Sequence, residues 1–397
     1  MTAPSQGSGR RSIGTVGHAT RDYRHGLLRE LMDREKLDAL AFMSDRLIKF
    51  ASNWSLDVAW FERPTLFVFP RNGAPFGILH ELSTNSWRFT AESGGVWVSN
   101  VSFYSEHPRL HHRLPLSLQW NAMVASHLEQ AGLQHARIGV DAEELARVGG
   151  VTLGLPYVRE LLPRLRLENV AAQCADLTVV KHDEEISLIQ ETASLANWGQ
   201  QRWHEQVRPG LLTAEVDMKV AASIVEEATR RYPPGVELAV FCQTISSPKT
   251  WFGTAPSDRV EKGDALVTSV SVQLNAQGVT NERTRFYGKP SQRQAGLFEA
   301  VRAASEAACA AAVAGKPTAQ VSAAVRTRFE KAGLTQFALD DLPTGNVPLR
   351  AKQLITVRPG VYEWGTGGCR HGNVVVVGDR PEVLTTTPMD LASQTLT

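Results

Sequence analysis

Cysteine is scarce in this sequence. Four residues, Cys174, Cys242, Cys309 and Cys369, are spread over 397 positions with no C-x-x-C pair. That spacing excludes a cysteine-type zinc site and fits a protein kept reduced in the cytoplasm, where disulfides are rare. Charge of one sign is also lacking, with 42 Lys+Arg against 41 Asp+Glu. A basic stripe for nucleic acid and an acidic interaction tail are therefore both missing. No apolar run approaches the roughly 20 residues a membrane-spanning helix needs. The first 22 residues are polar and rich in Gly and Ser. Arg10 and Arg11 are not followed by the apolar stretch of a signal peptide, so this segment reads as a flexible arm.

What is present is a chain 43% hydrophobic, long enough for a large core and two or three domains. The stretch HGLLRELMDREKL has helical spacing, and DALAFM after it reads as a strand. RPTLFVFP and PFGILH flank Asn72-Gly73, a hairpin signal. LSLQWNAMVASHLEQAG reads as a helix ending at Gly132, ARIGVD as a strand and YVRELLPRL as another helix. This alternation predicts an α/β domain over residues 23–172.

The second domain is expected over 173–397. A long helix from Lys181 to Val207 carries Asp183, Glu184 and Glu185 in its first turn, where the helix dipole favours acids. Pro209-Gly210 stops it, and Thr213 is placed to cap the next helix. Strands are predicted near 238–246, 264–274 and 278–288, helices near 291–314 and 318–332, and strands near 352–357, 361–364 and 373–377. Helix pair, β-region, helix pair, β-region is an α+β plan around a curved, mainly antiparallel sheet. One strand in it, GVTNERTRFYGKPS, carries Glu282, Arg283 and Arg285 within four positions. It is either an exposed edge or the lining of a polar cavity.

Six stretches in order, VVKHDEEISLIQETASLA, VRPGLLTAEVD, RVEKGDALVTSV, ERTRFYGKPS, ITVRPGVY and GCRHGNVVVV, resemble the creatinase/prolidase/methionine aminopeptidase superfamily. The resemblance implies its pita-bread fold for the C-terminal domain and a smaller creatinase-type α/β domain before it. Metal-dependent members hold two ions with two Asp, one His and two Glu, hard donors that activate water. By the resemblance those positions fall on Ser269, Thr280, a segment shortened here to LTQFALDDLPTGNVPLRAKQ, Arg358 and Gly372. No ligand survives and one has become a cation, so no metal or other cofactor is expected.

The creatinase branch, which also works without metal, is the nearer comparison. Its ERT glutamate matches Glu282, and WFERP matches a loop that supplies an arginine across a dimer, giving Arg63. The position of its acid/base histidine falls near Trp251 or Phe252. Thr280 and Glu282, two apart, share one strand face, and Arg358 on an adjoining strand is expected opposite, so that Glu282 and Arg358 form a planar bidentate pair. The candidate catalytic residues are Glu282, Arg358 and His371. The candidate substrate-binding residues are Arg63, Trp251, Phe252, Ser269, Thr280 and Asp341.

Each has a plainer reading. Glu282 and Arg283 can be a structural ion pair, with Arg283 purely structural, and Arg358 can pair with any nearby acid. Arg63 can be a surface residue before a proline, His371 a core or solvated histidine, and His204 structural or exposed. Asp340 and Asp341, ahead of Pro343, can be a turn, and Trp251 and Phe252 plain core. Two functions stay open. One is a metal-independent homodimeric enzyme acting on a small carboxylate, amide or zwitterion by C–N hydrolysis or a related lyase, cyclase or isomerase reaction. The other is an inactive pita-bread domain that binds a peptide or protein.

Overall fold

The computed structural model describes residues 15–56, 63–105, 116–141, 146–148, 151–153, 158–247, 257–339 and 345–396. The chain divides into two compact units, Val16–Val179 and Val180–Thr397.

The first unit holds strands β1 (Ala39–Phe42), β2 (Leu66–Pro70), β3 (Phe76–His80), β4 (Val101–Tyr104), β5 (Arg137–Val140), the hairpin β6 (Ala146–Val148) and β7 (Val151–Leu153), and β8 (Arg166–Asn169). Six of them form a mixed sheet in the order β4-β3-β2-β1-β5-β8. Alternation across the pleat makes two cores. Ala39, Ala41, Leu66, Val68 and Ile138 pack with Trp120, Val124 and Leu128 on one side. Leu40, Phe42, Phe67 and Phe69 pack with Leu28, Leu31 and Ile48 on the other. The Asn72-Gly73 turn forms as expected between β2 and β3, with Gly73 at φ 112°.

Three local expectations need correcting. The first helix begins at His18, inside the segment read as an arm. YVRELLPRL makes no full helix in its described part. It forms turns closed by Leu162 N–H on Val158 O and Leu165 N–H on Leu162 O, and β8 starts at Arg166. Pro163 explains this, since it supplies no N–H and pushes Leu162 away from helical geometry. Thr213 is the first residue of its helix, not its cap. Leu212 precedes it in extended geometry, and the Thr213 N–H donates to Asp258 O.

In the second unit the long helix spans Asp183–Gln206, capped reciprocally by the His182 side chain and Glu185. Helix Thr213–Arg231 follows, then the meander β9 (Leu238–Ser247), β10 (Ala265–Leu274) and β11 (Gln277–Tyr287). Helices Gln292–Ala310 and Thr318–Lys331 lead to β12 (Ala338–Leu339), β13 (Leu354–Val357), β14 (Gly360–Glu363), β15 (Gly367–Arg370), β16 (Asn373–Val376), β17 (Glu382–Val383) and β18 (Thr395–Leu396). The main sheet runs β18-β11-β10-β9, with two smaller sheets, β12-β14-β15 and β13-β16-β17. An antiparallel bridge between Glu282 and Gly372 ties the smaller sheets to β11. Among the described residues no helix is long and apolar enough to cross a membrane.

The long helix sits against its neighbours through Gly199. A Cβ there would lie 2.6 Å from Ile224 Cδ1 and 2.9 Å from Val270 Cγ1. Gly199→Val therefore overpacks the contact and should cost about 1–3 kcal/mol in denaturant unfolding. Gly296, in helix Gln292–Ala310, has nothing within 4 Å of its added Cβ. Gly296→Ala should instead stabilise by about 0.5–1 kcal/mol, and a loss there would contradict the packing described.

Candidate functional site

β11 separates its polar residues by face. Thr280, Glu282 and Thr284 lie on one side and Asn281, Arg283 and Arg285 on the other. Across β10, Ser271 stands opposite Thr280 and Ser269 opposite Glu282. The Ser271 and Thr280 hydroxyls are 2.8 Å apart, and Ser269 Oγ donates to Glu282 Oε1 at 2.7 Å. A cavity of about 220 Å³ opens at the Ser271–Thr280 end of this row, lined by Phe241, Ser271 and Thr280 among others, and neither Glu282 nor Arg358 lines it.

Arg358 reaches Glu282 from the end of β13. Its Nε donates to Oε2 at 2.7 Å and its Nη2 to Oε1 at 2.5 Å, a bidentate pair. The two partners differ in exposure: 1% for the Glu282 side chain and 36% for Arg358. Arg370, itself buried, places Nη1 3.8 Å from Glu282 Oε1. One carboxylate thus faces two guanidiniums, and the surplus positive charge lies toward the partly exposed Arg358. A buried carboxylate persists only when paired and hydrogen-bonded in this way.

Gly372 is what admits the carboxylate. Its N–H donates to Glu282 O at 3.0 Å, and a Cβ at that position would lie 2.4 Å from Glu282 Oε2. The donor set does not suit a pair of metal ions, which needs carboxylates and imidazole. Ser269 and Thr280 offer hydroxyls, Arg358 a cation and Gly372 nothing. Among the described residues no group of three or more His, Cys, Asp or Glu is placed to hold an ion.

The structure brings Glu282, Arg358 and Ser269 together, with Thr280 next along the same face. It does not bring His371 to them. The imidazole is fully buried and stands edge-on to Phe298, with ring centroids 4.7 Å apart. Burial, then the nearby Arg283, Arg285 and Arg302, holds its pKa well below the usual histidine range. Its two neighbours, Arg370 and Gly372, face Glu282, and alternation along an extended chain turns the residue between them away. A buried imidazole turned away from Glu282 is not placed to pass a proton to or from that carboxylate, which corrects the expectation for His371. Trp251, Phe252, Asp340 and Asp341 lie outside the described residues. Arg63 belongs to the first unit, half-buried before Pro64, and His204 is exposed on the long helix.

Behind the sheet, Arg283 is fully buried and donates to five neutral acceptors. These are the carbonyls of Glu282, Gly372, Thr385 and Thr387 and the side chain of Asn373. It is a structural tie across β11, β16 and the C-terminal segment. Sequence reasoning missed Arg370. It lies two positions before Gly372, so strand alternation alone places both on the Glu282 side.

Comparison with known proteins agrees with this architecture. Residues 187–379 match the family model of metallopeptidase family M24. An Xaa-Pro dipeptidase of Pyrococcus furiosus is 24% identical over 220 residues, 51% of this chain and 61% of that protein. A creatinase of a Bacillus species is 27% identical over 175 residues, 43% of this chain and 41% of that protein. The matched stretches therefore span only part of these relatives. The crystal structure of a prolidase from Thermococcus sibiricus superposes with a TM-score of 0.75 at 15% identity, covering 95% of this chain and 99% of that one. The chain carries the pita-bread fold. Within that class it is similar to the M24 superfamily of prolidases and creatinase.

Two measurements probe the site. Arg358→Met leaves the buried carboxylate with only the longer Arg370 contact and the Ser269 hydroxyl, and should cost about 3 kcal/mol. Glu282→Gln leaves a guanidinium that water can reach, so its cost should be smaller, on the order of 1 kcal/mol. Urea unfolding of both variants and of the double variant should show coupling above about 1 kcal/mol, whereas additive losses would mean that the pair is not formed.

The second concerns pH. Below the ordinary value of 6.5 the unfolded chain protonates His371 while the folded chain does not. Its contribution is full above that value and is lost as pH falls through it. Asp217, buried and raised to about 6, works in the opposite sense, since its contribution is present in acid and lost as pH rises toward 6. His371→Phe should therefore unfold less steeply with acidification between about pH 7 and about pH 5 than the parent. Identical pH slopes would place His371 in contact with solvent.

Proposed function

We propose that this chain is a hydrolase that cleaves a C–N bond in a small carboxylate-bearing substrate, and that it does so without a metal pair. The observation that carries this reading is the Glu282–Arg358 pair standing on the β10–β11 face where the family's metal ligands would be. The hydrolase class is supported by relatives named Xaa-Pro dipeptidase and creatinase.

In this reading Arg358 is the anion contact, because it is the partly exposed member of the pair. A substrate carboxylate or polarised carbonyl that engages its guanidinium draws it from Glu282, whose carboxylate stays balanced by Arg370. Glu282 then takes one proton from a water. The hydroxide so formed attacks the carbonyl carbon, the C–N bond breaks, and Glu282 returns the proton to the departing nitrogen. Water is thus divided, OH to carbon and H to nitrogen. Arg63, supplied across a homodimer as the sequence resemblance implies, adds a second anion contact.

A second reading is a binding domain without turnover. It is favoured by the occupancy of Glu282, whose oxygens already accept three hydrogen bonds, two from Arg358 and one from Ser269.

The deciding experiment treats the purified protein with chelator, verifies the metal content by elemental analysis, and assays release of amine from Xaa-Pro dipeptides, creatine and related small amides. Turnover should persist without metal, and Glu282→Gln should lower kcat by about 10²–10⁴. Turnover that appears only on adding manganese or cobalt would overturn metal independence. Binding without turnover across the panel would favour the second reading.

A further inference from the structure

The opposite face of β11 carries a second feature that the Glu282–Arg358 pair does not use. Arg285 is as deeply buried as Arg283, but its partners differ. Nη1 donates to Gln200 Oε1 and Thr268 Oγ1, both at 2.6 Å, and Nη2 to Gln200 O at 3.0 Å. The guanidinium stacks over the Trp203 ring at 5.0 Å. Nε has no hydrogen-bond partner among the described residues. Three of its five N–H groups are matched, against all five for Arg283. The Nε–H and one Nη2–H remain, the side-on pair that a planar oxyanion accepts bidentately.

No carboxylate among the described residues forms an ion pair with Arg285, so its charge is uncompensated. Burial and the adjacent Arg283 lower its pKa to about 9, which leaves it cationic at neutral pH. A buried, unpaired cation is costly unless something neutralises it.

Arg285 lines a cavity of about 530 Å³ between the long helix and the C-terminal segment. The other lining groups that matter are Asn197, Trp198, Gln201, His204 and Arg231. No acidic side chain is among the lining residues, and the nearby acids are committed elsewhere. Glu227 pairs with Arg230 and Arg231, and Glu205 with Arg202. Partial burial, then the Arg285 charge, lowers the pKa of His204. The walls therefore combine the ion-paired Arg231, an imidazole, amides and one indole above the buried Arg285 with its two unmatched donors.

We propose that this cavity binds a small organic carboxylate, its oxygens on Arg285 and its apolar part against Trp198. The site lies on the face of β11 opposite Glu282, so it is separate from the Glu282–Arg358 pair assigned to turnover. The carboxylate supplies the missing counter-charge, and 530 Å³ is within the range of small-ligand sites.

Benzoate is the probe, titrated into the full chain by calorimetry and by ligand-detected NMR, with inorganic phosphate as the comparison anion. Benzoate should bind saturably at a site that depends on Arg285, with phosphate at least about tenfold weaker there. Gln201→Glu, an exposed change that sets a carboxylate at the cavity, should weaken benzoate by about tenfold or more with the unfolding midpoint unchanged. Arg285→Met should abolish binding if it folds, and Trp198→Ala should weaken it. Arg358→Met, on the other face, should leave benzoate affinity as it is. No saturable binding up to about 10 mM benzoate would overturn the proposal, as would phosphate binding the tighter of the two. Loss of benzoate in Arg358→Met with full binding in Gln201→Glu would equally overturn it. Because the readout is binding at Arg285, it stands or falls independently of any turnover at Glu282.

Discussion

The bidentate contact between Glu282 and Arg358 is the constraint around which the second unit is arranged. A carboxylate with 1% exposure is admissible only with its charge met on the spot. The surroundings meet it from three directions, through Arg358 at the end of β13, Arg370 at the end of β15 and Ser269 from β10. The Glu282–Gly372 bridge then fixes the backbone heights of the strands that carry these groups. Remove the carboxylate, and two guanidiniums face each other with no reason to stay.

The same strand manages charge differently on its two sides. On the Glu282 side, acid and base are paired, with Arg358 partly exposed. Behind it, Arg283 and Arg285 sit fully buried against neutral oxygens, held by carbonyls, amides and an indole face. Neutral acceptors compensate such a cation only when every donor is used, which is true of Arg283 and not of Arg285.

Much of this was legible in the sequence, for reasons that can be assigned. The period-two rule placed Thr280 and Glu282 on one face, and the Asn72-Gly73 dipeptide identified the β2–β3 hairpin. The long helix was predicted within two residues at each end because its acidic first turn and the Pro209-Gly210 stop are local signals. Local signals also misled. Thr213 looked like a cap but lies one residue inside its helix, and a helical pattern around Leu161 was overruled by Pro163. Strands β4, β8 and β15 carry no clear alternation and owe their existence to pairing partners distant in sequence. His371 was a candidate because it neighbours a matched position in the chain, but neighbours in an extended chain point apart. Arg370 was missed although alternation sets it beside Gly372, because the ion pair itself joins residues 88 positions apart.

The tight approach of Gly372 to Glu282 also bears on how this chain can change over generations. With the carboxylate of residue 282 filling the space of any side chain at residue 372, the two positions cannot both be acidic by a single substitution. A path from this sequence to one with glutamates at 358 and 372 would first strand either a buried acid or a pair of guanidiniums. Residues 282 and 372 are therefore coupled, because a side chain can be gained at 372 only where the one at 282 shortens or turns away.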